Sequence, residues 1–346
     1  MRLRCYSFHS VKGGVGKSTL ATACALALAE RDGEPVVLID MDLTGTSLGD
    51  VLKLEAPRWN AEHPVLKALE GPSDGFSSHE ETMERVRLRQ DEELRGVGAP
   101  PYLNDFLLFP APERVDIEDA DPVGLLWRLQ RGPEALRIIP SSALPRDVEA
   151  IVSVVYDEER TAFLQQRLEY LMEALLLLYR DEPSLTLVFD TPPSIPGLSR
   201  AVLSLALRLG AQGDKRPIVP RRALPYELDN AEVRWIACLV ATLDRQDRRA
   251  LFRWLEDLPE EEIDSGVLRL LINKVQGSRG EVEDLLDPPL SETGAPLDTL
   301  RPPAWILPCG IVTDQDSLRF FQSDDPGFHH QDLLEAFGEI DPDEGR

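Results

Sequence analysis

The chain has 346 residues, of which 42% are hydrophobic and 28% charged, and this balance is ordinary for a globular protein. Its formal net charge is -24, which disfavours direct binding to duplex DNA or to anionic lipid, because both need clustered Lys and Arg. The four cysteines are widely spaced and form no CxxC pair, so a metal or iron–sulfur site within one chain is not expected. Composition therefore argues against DNA-binding, membrane-bound and metal-cluster classes of protein.

The start of the chain lacks the long apolar stretch of a secretory signal peptide. No run approaches the roughly 20 apolar residues that a membrane-spanning helix needs. We therefore predict a cytoplasmic protein whose cysteines are buried free thiols in a reducing compartment.

The N-terminal part of the chain alternates apolar runs with a glycine-rich loop. Residues 3–9 predict a strand, and the Ala- and Leu-rich residues 19–31 predict a helix. A glycine and a proline follow that helix at Gly33 and Pro35, as is usual after a helix end. Residues 36–39 are wholly apolar, which is typical of a parallel strand covered on both faces.

Residues 51–135 differ in composition, because they are rich in Pro, Gly and charge. Within them, the mixed-charge residues 80–95 predict an exposed helix. We interpret the region as an insertion on the core domain. It is either a solvated surface excursion or a partner-binding element, since long insertions in compact domains are often functional.

The alternation of strands and helices resumes after the insertion. Strands are predicted at 136–140, 185–189, 235–242, 267–273 and 304–307, and helices at 157–179, 197–209, 246–258 and 316–322. Residues 212–230 form a second, smaller excursion, and 323–346 form an acidic tail. This order predicts an α/β fold with a doubly wound, mostly parallel sheet flanked by helices, in one domain over 1–322.

The strongest motif is a P-loop at 12–19, between the first predicted strand and helix. Its glycines let successive backbone N–H groups curl around phosphate, and the helix N-terminus faces the same anion. We assign ATP binding to the following residues: Gly13, Gly14, Val15, Gly16, Lys17, Ser18 and Thr19. Lys17 can reach the β- and γ-phosphates, and the Ser18 hydroxyl can coordinate Mg²⁺. The loop departs from the plain motif because Val11 stands where the first glycine would be.

The octamer Lys-Gly-Gly-Val-Gly-Lys-Ser-Thr resembles the loop of the ParA/MinD family of P-loop ATPases, KGGxGK[ST]. The resemblance implies that Lys12 is the signature lysine, which crosses the dimer interface to phosphates bound by the partner. Two chains would then sandwich two ATP molecules. Without the family, Lys12 would be a solvated charge beside the loop.

Two further motifs end in aspartate. The strand at 36–39 runs into Asp40-Met41-Asp42, and the resemblance implies that Asp42 orients the attacking water while Asp40 acts through the metal shell. The alternative for Asp42 is a cap on the next turn. The strand at 185–189 ends at Asp190, a Walker B position that can hold Mg²⁺, and the residues after it resemble the family's nucleotide-sensing switch.

Two later positions resemble the family's adenine site. Asn273 ends the strand at 267–273, and Pro308 follows the strand at 304–307. The resemblance implies that Asn273 binds the adenine ring and that Pro308 packs beside it.

Together these motifs predict a Mg²⁺-dependent ATPase that dimerises on ATP and acts as a molecular switch for a protein partner. The 51–135 insertion is the expected partner-specific element. Two alternatives stay open: a DNA-partition ATPase with a basic patch that the sequence does not reveal, and a scaffold subunit that binds ATP with little turnover. DNA and membrane are the less expected partners, because the chain carries no basic stripe and ends in acidic residues.

Overall fold

The computed structural model describes residues 1–43, 48–58, 75–89, 100–108, 122–155, 160–194, 197–210, 226–242, 244–256, 258, 266–275 and 304–308. Three predicted segments lie wholly or mostly outside these residues: the helix at 316–322, the acidic tail at 323–346 and the excursion at 212–230. Within the described part of the chain, no helix is both long enough and apolar enough to cross a membrane.

A seven-stranded parallel sheet is the centre of the fold, in the order β5-β2-β6-β1-β7-β8-β9. Its strands are β1 Arg2–His9, β2 Val36–Asp40, β5 Leu136–Ile139, β6 Ser184–Asp190, β7 Glu232–Thr242, β8 Leu268–Val275 and β9 Ala304–Pro308. A separate two-stranded antiparallel ribbon consists of β3 Leu54–Glu55 and β4 Arg128–Leu129. The predicted mostly parallel sheet is confirmed.

Helices connect the strands. They are α1 Lys17–Asp32, α2 Leu48–Val51, α3 His79–Leu88, α4 Leu103–Leu108, α5 Pro145–Val155, α6 Thr161–Leu178, α7 Leu198–Gly210, α8 Tyr226–Asn230 and α9 Arg245–Glu256, with a 3₁₀ turn at Pro122–Leu125. Parallel neighbours need such crossovers, because a tight turn cannot join two parallel strands.

The sheet is buried on both faces, and alternate residues of each strand serve opposite faces. In β1, Leu3 and Cys5 belong to the cluster that contains α4, α5, α6 and α7. Tyr6 and Phe8 belong to the other cluster, which contains α1. This is the doubly wound arrangement that the sequence predicted.

The described part of the 51–135 region is not a solvated excursion. Trp127 is fully buried and packs against Tyr102, with ring centroids 5.1 Å apart. Leu103 and Leu107 of α4 are buried in the opposite cluster. The region contains few long apolar runs, but its scattered apolar residues complete the core on both faces.

One helix prediction needs correction, and one helix was missed. The predicted exposed helix at 80–95 is α3, which ends at Leu88 and buries Thr82 and Arg85 against its surroundings. A second helix, α5, was not predicted at all. Its signals were Pro145 at the first helical position and apolar residues at helical spacing, Val148, Ile151 and Val155.

A buried arginine ties the inserted region to the core. Arg89, which follows α3, donates to Asp147 of α5 at 2.6 Å and to both carboxylate oxygens of Asp105 in α4 at 2.6 and 2.8 Å. Its guanidinium lies 4.9 Å from the centroid of the Tyr102 ring. The two carboxylates raise the pKa of Arg89 despite its burial.

We expect Arg89→Met to lower the free energy of unfolding by about 3 kcal/mol, because it leaves Asp147 and Asp105 without their buried cation. Urea denaturation measures the change. The matched control is Arg87→Met in the last turn of α3. Its ion pair with Glu84 is exposed on both sides and should contribute almost nothing. Equal effects of the two variants would contradict this account of the cluster.

Candidate functional site

The predicted site residues meet at the carboxyl-terminal edge of the sheet. The P-loop leaves β1, Asp40 ends β2, Asp190 ends β6, and Pro308 ends β9. Because all seven strands are parallel, their carboxyl ends lie on one edge, next to the central strand where the order of the sheet reverses. Ligands of open α/β sheets bind at this position.

The P-loop has the backbone shape that its glycines permit. Gly14 and Gly16 have φ angles of 78° and 87°, and Gly16 is the N-cap of α1. Side chains rarely tolerate such angles, so these two glycines fix the curl of the loop. Val15 is buried and anchors the loop to the α1 face of the sheet.

Lys17 is buried at the start of α1, and its Nζ lies 3.4 Å from Asp190 Oδ1. The two side chains are only 6% and 1% exposed. A buried ammonium group needs a counter-charge, and Asp190 provides it. The structure thus brings the P-loop lysine and the Walker B aspartate into contact. Ser18 and Thr19 follow Lys17 in the first turn of α1, where Thr19 is buried.

Asp40 is buried beside Asp190, its partner in the register of β2 and β6. Its Oδ2 accepts hydrogen bonds from Leu48 N at 2.8 Å and Ser141 Oγ at 2.8 Å. Its Oδ1 accepts one from Asp42 N at 3.2 Å. Burial and the charge of Asp190 raise the pKa of Asp40 to about 7, against the lowering effect of the Ser141 hydrogen bond.

Asp42 lies two residues beyond the end of β2 and is half-buried. Its backbone N–H binds Asp40, and its carbonyl accepts a hydrogen bond from Ser141 Oγ at 3.3 Å. Asp40 and Ser141 therefore fix the backbone that carries the Asp42 carboxylate.

Lys12 contacts its own chain. Its Nζ lies 3.1 Å from Asp247 Oδ1 and donates to Gln246 Oε1 at 3.3 Å, both at the start of α9. The Lys12 side chain is 37% exposed. Thr242 Oγ1, at the end of β7, donates to Asp247 Oδ2 at 2.5 Å and orients that carboxylate.

Asn273 is buried in β8, and its Nδ2 donates to the carbonyl of Val15 in the P-loop at 2.8 Å. The register between β8 and β9 shifts between Ile272 and Val275, and Val275 pairs with Pro308. The two predicted adenine residues thus lie in adjacent strands, and one of them binds the P-loop directly.

A buried set of polar side chains below the loop was missed from the sequence. His9 is fully buried between Ser7 Oγ, 2.9 Å from Nε2, and Ser199 Oγ, 3.0 Å from Nδ1. Ser199 in turn contacts Thr191 Oγ1 at 3.2 Å. Burial, together with the charge of Lys17, lowers the pKa of His9 to about 3. A histidine within an apolar strand carries no local sign of these contacts, because its partners are distant in sequence.

A comparison with protein families matches residues 4–75 to a family model described as ParA, NUBPL iron-transfer P-loop NTPase. Those residues include the P-loop and the Asp-x-Asp motif. The predicted resemblance to ParA/MinD-like P-loop ATPases is confirmed for this segment. No curated protein matches the chain significantly.

Solved structures with a similar arrangement include ParA/MinD-like proteins of low identity. A ParA family ATPase from Chlorobium tepidum is 16% identical, with 98% of this chain and 93% of that chain covered and a TM-score of 0.46. A putative plasmid partition protein from Borrelia burgdorferi bound to AMPPNP is 16% identical, with 98% and 99% covered and a TM-score of 0.45. The cell division ATPase MinD of Pyrococcus furiosus is 15% identical, with 97% and 99% covered and a TM-score of 0.45.

The neutral His9 predicts an acid-dependent loss of stability. Its pKa in the folded protein, about 3, lies below the unfolded value of about 6.5, so the folded state binds fewer protons between these values. The contribution of neutral His9 to the free energy of unfolding is therefore fully present above about pH 6.5 and is lost as the pH falls toward 3. Between pH 7.5 and 5.5, wild type should lose about 1.4 kcal/mol more than His9→Gln.

Urea unfolding at several pH values gives the free energy of unfolding of wild type and of His9→Gln. The comparison uses only the change of that free energy with pH, not its absolute value. A wild-type slope in His9→Gln would mean that His9 is protonated in the folded protein.

Proposed function

We propose that this protein binds and hydrolyses ATP with Mg²⁺ and dimerises when ATP is bound, so that it acts as a nucleotide-controlled switch for a protein partner. The observation that carries the proposal is the edge of the sheet at which the curled P-loop, the Lys17–Asp190 pair and the Asp40-x-Asp42 segment meet. This is the arrangement that phosphoryl transfer needs, since its catalysis consists mostly of positioning and charge stabilisation.

The residues fit Mg²⁺. They offer hydroxyl and carboxylate oxygens, which are the donors that Mg²⁺ prefers, and Mg²⁺ uses few protein ligands because it retains water. Ser18 would bind the ion directly, and Asp190 would hold it through water. Asp40, whose oxygens accept protein hydrogen bonds, would support this shell. When bound, the ion neutralises phosphate charge.

The phosphate chain is held by backbone N–H groups of Gly13, Gly14, Val15 and Gly16, by Lys17 and by the first turn of α1. Lys17 places a positive charge next to the β- and γ-phosphates. Asp42 accepts a hydrogen bond from the attacking water and orients it for in-line attack. The backbone bond between Asp42 N and Asp40 fixes the chain on which that carboxylate sits.

The orientation of the Asn273 side-chain amide favours adenine over guanine. The carbonyl of Val15 can only accept a hydrogen bond, so the Asn273 amide must present its NH₂ group to the loop. Its Oδ1 is then an acceptor, which suits the exocyclic amine of adenine and opposes the carbonyl of guanine. Pro308, in the next strand, would pack against the base.

The partner-specific element is proposed within 51–135, but deleting that region would not test it, because Trp127 and Tyr102 belong to the core. Exposed side chains of α3, such as Glu80, Glu84 and Arg87, can be charge-reversed instead. Unchanged partner capture by that variant would remove α3 from the proposed interface.

The buried free thiols at Cys5, Cys24 and Cys238 support the reducing, cytoplasmic location predicted from the sequence.

Lys12→Ala and Asp42→Ala should separate assembly from hydrolysis. Lys12→Ala should bind ATP but stay monomeric, because the lysine acts on the partner's nucleotide. Asp42→Ala should dimerise with ATP and hydrolyse it about a hundredfold more slowly or worse. Light scattering after size exclusion and steady-state phosphate release measure the two properties. Lys53→Ala and Asp50→Ala, both at exposed positions, are the matched controls.

Three results would contradict parts of this proposal. ATP-dependent dimerisation of Lys12→Ala would remove the shared site. Equally slow hydrolysis by wild type and Asp42→Ala in the presence of the partner would favour the scaffold alternative, while a gel shift with ATP that weakens steeply with salt would favour the DNA-partition alternative.

Asp247→Asn should make dimerisation easier. In this structure Lys12 binds Asp247 of its own chain, and that pair must open before Lys12 can reach a partner's phosphate. Half-exposed ion pairs contribute up to about 1 kcal/mol, so the ATP concentration at half-maximal dimerisation should fall by up to about fivefold. Asp229→Asn, at an exposed site in α8, should have no effect. A rise in that concentration would mean that Asp247 assists the dimer.

A further inference from the structure

A buried chain of hydrogen bonds crosses the base of the segment that follows Asp190. Trp235 Nε1 in β7 donates to Ser7 Oγ at 3.0 Å, and Ser7 Oγ lies 2.9 Å from His9 Nε2. On the other side of the ring, Nδ1 lies 3.0 Å from Ser199 Oγ, which contacts Thr191 Oγ1 at 3.2 Å. Thr191 Oγ1 donates to the carbonyl of Phe8 at 2.6 Å.

Counting protons gives this chain one consistent direction. A carbonyl oxygen only accepts, so the Thr191 hydroxyl donates its proton to the Phe8 carbonyl. It must then accept a hydrogen bond from the Ser199 hydroxyl. Ser199 then has no proton left for His9 and must accept from Nδ1–H. At the other end the indole only donates, so Ser7 accepts from Trp235. With the ring proton on Nδ1, Nε2 of the neutral ring is an acceptor, and Ser7 donates its own proton to it. Every donor and acceptor is satisfied when His9 is neutral with its proton on Nδ1.

The chain joins the two ends of one segment. Thr191 directly follows Asp190, and Ser199 lies in the first turn of α7, where that segment ends. His9 directly precedes Ser10, and the carbonyl of Ser10 accepts a hydrogen bond from Ser194 N at 3.0 Å. Ser194 has a φ angle of 76°, a backbone conformation that costs free energy in a non-glycine residue and must be held by its surroundings.

We propose that His9 is a positioning residue that fixes Thr191 and the start of α7 against the end of β1, from which the P-loop leaves, so that occupation of the phosphate site is transmitted to α7. The inference rests on the proposed function, because it takes the bound nucleotide as the signal. His9 touches neither phosphate nor metal ligand side chain in this role; it acts through Ser199 and Thr191. Removing its contacts should therefore leave binding intact and uncouple the response.

The proton count can be observed directly. In protein labelled with ¹⁵N-histidine, two-bond proton–nitrogen spectra distinguish the two neutral tautomers and the charged ring. Comparison with His9→Gln identifies the His9 signals among the five histidines. We expect a neutral ring protonated on Nδ1 that does not change between pH 8 and about 6, since its buried partners satisfy the neutral form. A ring protonated on Nε2, or a charged ring, would overturn the hydrogen-bond chain.

The coupling is tested with Ser199→Ala, which removes one hydroxyl from the chain and leaves His9 in place. Hydrogen exchange of peptides covering Thr191–Ser194 and the first turn of α7 is compared with a non-hydrolysable ATP analogue and with ADP. Wild type should show a difference between the two nucleotides of about threefold or more in exchange rate, and Ser199→Ala should lose most of it. Its affinity for the ATP analogue should stay within about threefold of wild type, since no phosphate contact is removed.

The matched control is Ser184→Ala, at the end of β6 opposite to Asp190. Ser184 is as deeply buried as Ser199 and also bonds a side chain, the carboxylate of Glu34. It should lose stability to a similar extent and keep the wild-type difference between nucleotides. Fluorescence titration with a labelled ATP measures binding for all variants.

The outcomes are distinguishable. If wild type binds no ATP, the proposed function fails and the coupling fails with it, whatever the tautomer. If Ser199→Ala binds ATP and keeps the full difference in exchange, the coupling through His9 is wrong while the ATP site stands. If Ser184→Ala loses the difference as well, the effect reflects general loosening of the fold and the positioning role is overturned.

Discussion

The parallel pairing of β1 with β6 and β7 is the constraint on which the site depends. It sets Phe8 opposite Asp190 and places the start of the P-loop beside the end of β6. Successive residues of a strand point to opposite faces and are about 3.3 Å apart. A slip of one residue would therefore reverse the faces of β1 and pull Lys17 away from Asp190. The packing of two hydrophobic clusters on the sheet secures the register, so the core and the site are built by the same contacts.

The charges at this edge distinguish the candidate site from the core around it. Lys17, Asp40 and Asp190 are all buried, and burying charge costs free energy unless partners compensate for it. Asp190 has Lys17, whereas Asp40 relies on neutral donors and on a raised pKa. Apolar side chains at these three positions would destabilise the folded state less than buried charges do. The arrangement matches the proposed binding of a cation and a polyphosphate, whose charges oppose and complement those already present.

The sequence predicted the parts of the molecule that are encoded locally. The P-loop, Asp40 and Asp190 could be placed because each follows a short apolar strand, and α1 because its composition and end signals agree. The structure of the described parts of 51–135 could not be predicted, since their apolar residues are scattered. Their ties to the core, such as Arg89 with Asp147, join residues that are distant in sequence. His9 was missed for the same reason: its contact with Ser199 spans 190 residues and has no periodic signature. The self-contact of Lys12 with α9 depends on how β1 and β7 pair, which a linear motif does not contain.

The hydrogen bond between Asn273 and Val15 has a consequence for energetics. One amide belongs both to the proposed pocket for the base and to the wall of the loop that would hold the phosphates. Nucleobase and triphosphate are then not read by independent modules, and their contributions to affinity should not add up. A free base or bare pyrophosphate would bind more weakly than its share of the whole nucleotide suggests, because each alone would engage only one side of the Asn273–Val15 contact. Such a site would favour the intact nucleotide over its separate base and phosphate groups.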